Sequence, residues 1–161
     1  MFPVNIGNMK LSLNIRQHAT GFLAFFLAAA AFSAADEGPW TTDAEKALQT
    51  AKAESKFVLM DFAGSDWCPP CKLLKASVFS KKEFLDFAKE KLVLVDVDFP
   101  QTHPLSPAQE KANAKLAEKY KAEVLPTVIV LNADGKQVFR EEGYDGSAPD
   151  KYIEKLKKAM K

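Results

Sequence analysis

FVLMDFAGSDWCPPCKLL, residues 57–74, is the stretch whose reading decides the fold. It opens on an apolar run, Phe57, Val58, Leu59 and Met60, with the near-continuous hydrophobicity of a parallel strand covered on both faces. Asp61 is the anomaly in that setting. Gly64, Ser65 and Asp66 then break the strand, and Cys68-Pro69-Pro70-Cys71 stands where a helix would start. The chain has only 2 cysteines. Closing so short a loop removes little unfolded-chain entropy, so the pair is a poor staple. Its position at a strand-to-helix junction points to redox chemistry instead. An inert disulfide and a metal-binding pair are the alternatives.

The 161 residues suffice for one domain. Residues 1–20 carry Lys10 and Arg16 and no acid, residues 21–32 (GFLAFFLAAAAF) are apolar, and Ser33-Ala34-Ala35 supplies small side chains. This order predicts a signal peptide over residues 1–35, cut after Ala35, with an uncleaved inner-membrane anchor as the alternative. The periplasm or another extracytoplasmic space follows as the expected location, where a disulfide persists. Both basic residues leave with the segment, so the 22 Lys plus Arg fall to 20, against 21 Asp plus Glu, in residues 36–161. That balance gives no basis for a nucleic-acid partner. The lysine-rich end, residues 155–161, reads as the wet face of a terminal helix.

Along the domain, Thr42 and Glu45 suggest a capping box before a helix carrying Ala44, Ala47, Leu48 and Ala51. A strand follows over residues 57–62, then a helix from the cysteine pair to Ser77. Ser80 and Glu83 suggest a second capping box for a helix over residues 81–89. LVLVDV, residues 92–97, is a second buried strand. FPQTHPLSP, residues 99–107, with Pro100, Pro104 and Pro107, is a loop. Ser106 is placed to cap a helix over residues 108–120, with Ala112, Leu116, Ala117 and Tyr120 towards the core. TVIVL, residues 127–131, turns at Asn132-Ala133-Asp134-Gly135 into an antiparallel strand, and a helix ends the chain. The fold class is α/β: three layers, with a mixed central sheet between helices.

Trp67-Cys68-Pro69-Pro70-Cys71-Lys72, the acidic Asp61 before it and Leu125-Pro126-Thr127 ahead of the hairpin resemble the thioredoxin family over nearly the whole domain. The lead-in Gly64-Ser65-Asp66-Trp67 looks more like exported bacterial thioredoxin-like proteins than the cytosolic reductant. The resemblance implies a thiol–disulfide oxidoreductase with Cys68, Cys71, Asp61 and Pro126 as catalytic residues. Trp67, Leu125 and Thr127 would meet the substrate. It implies that Asp61 exchanges a proton with Cys71, that Pro126 is cis, and that the backbone of Leu125 pairs with an extended substrate. Two departures stand out. Asp61 precedes Cys68 by one residue more than is usual, so the turn at residues 64–66 must absorb the excess or Asp61 faces elsewhere. The lysine often found on the second strand near the acid is absent from residues 92–97.

On chemical grounds Cys68, at the first helical turn, is the exposed attacking thiol, and Cys71, one turn along, resolves the mixed disulfide. Asp66 reads as a solvated charge. The leading expectation is a reductase of exported protein disulfides, monomeric, fed by a membrane-bound electron donor and needing no cofactor beyond the Cys68–Cys71 disulfide. A disulfide donor or isomerase is the alternative direction. A copper-binding metallochaperone using Cys68, Cys71 and His103 is a rival from another class, because thiolates favour Cu(I). A non-enzymatic binding module on the same fold is a third.

Overall fold

A computed structural model describes residues 39–161; the expected signal peptide, its expected cleavage point and His18 lie outside the described residues. Five strands form one sheet in the order β1-β3-β2-β4-β5. They are β1 (Trp40–Thr41), β2 (Phe57–Ala63), β3 (Leu92–Asp98), β4 (Thr127–Leu131) and β5 (Gln137–Glu142). β1 and β2 run parallel to β3, whereas β4 is antiparallel to both β2 and β5. The helices are α1 (Ala44–Glu54), α2 (Pro69–Leu74), α3 (Lys82–Lys91), α4 (Pro107–Tyr120) and α5 (Pro149–Ala159). The mixed sheet with helices on both faces is the architecture expected from the sequence.

The period of two along β2 builds two cores. Val58, Met60 and Phe62 bury against Ala47 and Ala51 of α1 and the apolar flank of α4. Leu59 points the other way, into a cluster with Leu74, Phe79, Phe84, Tyr152 and Leu156. Full burial of each large side chain contributes about 1.5–3 kcal/mol. Asp61 shares the parity of Leu59, so it lies beneath α2. Its register is uninterrupted: Asp61 opposes Asp96 on β3 and Val128 on β4. The extra residue is taken up in the turn, where the N–H groups of Trp67 and Cys68 both donate to Gly64 O, at 3.3 and 2.9 Å.

Several local expectations are corrected. Trp40–Thr41 is an edge strand against Leu94–Val95, which moves the α1 cap one residue on; Asp43, not Thr42, accepts from Lys46 N–H, at 2.9 Å. α2 runs directly into a π-helical turn, Lys75–Phe79, closed by Ser80 N–H donating to Lys75 O at 2.9 Å. Ser80 therefore ends that turn, and α3 starts after an extended Lys81 with no side-chain cap. Ser106 does cap α4, accepting from Gln109 N–H at 3.2 Å. The face of α4 is rotated from the expected one: Ala112 is exposed and Asn113 is buried, its amide donating to Asp98 O at 2.7 Å. Among the described residues no helix is long and apolar enough to cross a membrane.

Candidate active site

Cys68 is the N-cap of α2 and is joined to Cys71 by a disulfide. Pro69 and Pro70 occupy the first turn, where a missing N–H costs no helical bond. The first free helical N–H, that of Cys71, donates to Cys68 Sγ at 3.3 Å. A donor aimed at that sulfur, at the positive end of the helix, favours its thiolate once the disulfide opens. In this oxidised state both cysteines are 3% exposed, so the expectation of an exposed Cys68 is corrected. Ala63 and Leu125 pack against the pair.

The peptide bond between Leu125 and Pro126 is cis, as the resemblance implied. Strand pairing of β4 begins only at Thr127, which leaves the backbone of Leu125, the residue packed against the disulfide, outside the sheet. Pro126 O instead accepts from Gly143 N–H at 2.7 Å, which ties the turn to the end of β5. Thr127 was expected at the substrate. It is fully buried, and its hydroxyl donates to Val124 O at 2.6 Å, so its side chain shapes the turn.

Asp61 is buried, and its Oδ1 has no hydrogen-bond partner among the described residues. It lines a cavity of about 290 Å³ with Cys71, Lys72, Lys75, Ser80 and Asp96, open behind the second cysteine. Burial pushes its pKa from the ordinary 3.8 up to about 8; Asp96 adds to the rise and Lys75 opposes it. The sequence reading found Asp61 but not Lys75. The signal was available, since Lys75 follows Cys71 by one i,i+4 step on the same helix face.

Trp67 is 43% exposed. Its indole lies so close to Gly64 that a Cβ there would sit 2.5 Å from the ring, so any other residue would push the indole from its place. Trp67 Nε1 donates to Phe99 O at 2.7 Å. This is one of several ties between the turn and the loop of residues 99–106. Ser65 N–H and Oγ donate to the Asp98 carboxylate at 2.8 and 2.6 Å. Asp66 accepts from Gln101 N–H at 3.0 Å and from Thr102 N–H and hydroxyl, each at 2.5 Å. These donors, the Thr102 hydroxyl foremost, hold the Asp66 carboxyl well below the usual range, so Asp66 is a clamp and not a free charge. Asp66→Ala is expected to speed amide exchange at Gln101 and Thr102 by about tenfold or more. Exchange in β2 and β3 should not change. Equal protection of the two loop amides in both proteins would refute the clamp.

His103 does not join the cysteines in a ligand set. Its imidazole sits 3.5 Å from Asp66 and 4.0 Å from Asp98. Among the described residues no three His, Cys, Asp or Glu side chains converge as metal ligands.

Residues 44–159 match the thioredoxin-like domain family. The chain is 34% identical over 122 residues to the disulfide bond reductase DsbH of Chlamydia pneumoniae, covering 76% of this chain and 72% of that protein. It is 31% identical over 101 residues to the thioredoxin-related protein DsbJ of the same organism, covering 63% of this chain and 29% of the relative. A solved structure of a DsbH oxidoreductase superposes with a TM-score of 0.69 at 33% identity, covering 74% of this chain and 82% of that one. With a cysteine pair at a helix start, the residue before a cis-proline packed against it and a buried acid lining the cavity behind it, the chain belongs to the thioredoxin-like family and is a thiol–disulfide oxidoreductase.

Proposed function

We propose that this protein reduces disulfides in exported proteins. The carrying observation is the placement of Cys68 at the start of α2, packed against Leu125, whose bond to Pro126 is cis and whose backbone lies outside the sheet. Similarity to a relative named a disulfide bond reductase supports the direction. In the reduced protein the Cys68 thiolate attacks one sulfur of a client disulfide, and the other sulfur leaves as a thiolate. Cys71 loses its proton to Asp61 and attacks Cys68 Sγ. The Cys68–client bond breaks, and the Cys68–Cys71 disulfide forms. The client segment lies extended along Leu125, with Trp67 as an apolar contact at the rim. The protein works as a monomer with no cofactor beyond its own disulfide.

Residues 1–35 support placement in the periplasm or another extracytoplasmic space, held there free or by an uncleaved anchor. A membrane-bound dithiol donor then returns two electrons to the oxidised pair.

The equilibrium reduction potential of the protein against dithiothreitol, read by tryptophan fluorescence and thiol alkylation, tests the direction. A value near −270 mV, in the range of about that of thioredoxin, is expected. A value near −120 mV, about that of a strong periplasmic oxidant, would make the protein a disulfide donor instead.

A further inference from the structure

Asp61 and Asp96 stand side by side in register on adjacent parallel strands, facing the same side of the sheet. Both line the cavity behind Cys71. A second, smaller cavity of about 10 Å³ lies between Asp61, Asp96, Lys75, Trp40 and Phe79, the volume that one water needs. Lys75 reaches in from the π turn, its Nζ 3.9 Å from Asp96 Oδ2. Asp61 is buried, whereas the Asp96 side chain is 29% exposed and that of Lys75 57% exposed. The second strand thus offers an acid beside Asp61, and the neighbouring cation comes from a helix.

Resting on the reductase reading above, we propose that Asp96 and Lys75 complete a proton port for Cys71: Asp96 shares the proton that Asp61 takes up, and Lys75 sets how tightly the pair holds it. When Cys71 resolves a mixed disulfide, its thiol proton goes to the Asp61 carboxylate. The Cys71 thiolate displaces the client sulfur from Cys68, and the client leaves as a thiolate. The proton then passes through water to the Asp96 carboxylate and out along the open cavity, which resets Asp61. Each carboxylate disfavours ionisation of the other, so Asp96 adds to the rise at Asp61, and it is the ionised fraction of Asp61 that accepts the Cys71 proton. Burial also raises the Asp96 pKa, with Lys75 opposing the rise. The charged groups acting on this pair are Lys75 from the helix side and Asp98 at the end of β3, and Lys72 also lines the cavity. The Tyr152 hydroxyl of α5 is buried near enough to Asp61 to feel its charge, after that of Glu141.

Two measurements on the same variants test this. The first is the titration of the Asp61 side-chain carboxyl in the oxidised protein, followed by carbon NMR. Asp96→Asn removes a like charge and should lower the midpoint by about one pH unit. Lys75→Met removes the opposing charge and should raise it by about as much, with Lys75→Arg restoring it. The second is the pH profile of the Cys71 step, read by stopped flow as release of the second thionitrobenzoate when reduced protein meets excess Ellman's reagent. Its midpoint should move with the NMR midpoint in each variant. Lys75 is exposed, so its variants fold whatever Asp96→Asn does. An Asp61 midpoint unmoved in the Lys75 variants, or a kinetic profile that ignores a moved midpoint, would overturn the proposal. Absence of any second release in the unaltered protein would sink the reductase reading instead, and the NMR titration would still decide whether the three groups act together.

Discussion

Cys68→Ser is expected to lower the rate of insulin disulfide reduction by about 10³-fold or more, to the level of buffer containing dithiothreitol alone. The expectation follows from where the sulfur sits. Cys68 Sγ accepts the Cys71 N–H at the start of α2, so the helix stabilises a charge on that atom in the reduced enzyme. A serine hydroxyl at the same point keeps its proton at neutral pH and has no thiolate to offer. Cys71→Ser separates the two roles, because Cys68 can still attack but the mixed disulfide is not resolved. That variant should accumulate client adducts that migrate as larger species on a non-reducing gel. If Cys68→Ser retained a substantial part of the activity, or if adducts formed through Cys71 instead, the assignment of attacking and resolving thiols would be wrong.

Much of this site was legible because its decisive features are local. A strand, a glycine turn and two cysteines one helical turn apart lie within a single run of residues, and their chemistry depends on that spacing. The facing of Asp61 was not settled by the sequence, because the extra residue before Cys68 could have gone into the turn or into the register; the uninterrupted pairing of β2 puts it on the face of Leu59. What the sequence hid is held by distant partners. Asp66 reads as a solvated acid until the loop of residues 99–106 brings the donors of Gln101 and Thr102 to it. Asn113 escaped because apolar periodicity cannot see a polar side chain buried to hold the end of β3. Trp40–Thr41 is too short to show an alternation, and the π turn over Lys75–Phe79 has the composition of an ordinary α-helix. That turn carries Lys75, the cation set against Asp96, so the electrostatics of the site were the least readable part.

Asp61→Asn should stabilise the oxidised protein, and by an amount that depends on pH in a defined direction. The folded protein holds the Asp61 proton up to about pH 8, whereas the unfolded chain releases it near 3.8. A group whose pKa is raised on folding contributes fully below its unfolded value, and that contribution is lost as pH rises through the folded value. Wild-type stability should therefore fall between pH 4 and pH 8 relative to a neutral amide at the same place. The two proteins should unfold at similar urea concentrations at pH 4. At pH 8 the variant should be ahead by roughly 3–5 kcal/mol. Urea midpoints at pH 4, 6 and 8, with an unchanged m-value, measure this directly. Parallel curves would mean that Asp61 is not the buried acid described here. The same substitution should slow the Cys71 step by about 10²-fold, the usual worth of a placed general base. On the mechanism proposed above, the chain keeps a carboxyl where an amide would be more stable because, among the described residues that line the cavity, only Asp61 and Asp96 carry a carboxylate to take the Cys71 proton. A destabilising group that is needed by one step of the reaction is the trade between stability and activity expected at a working site.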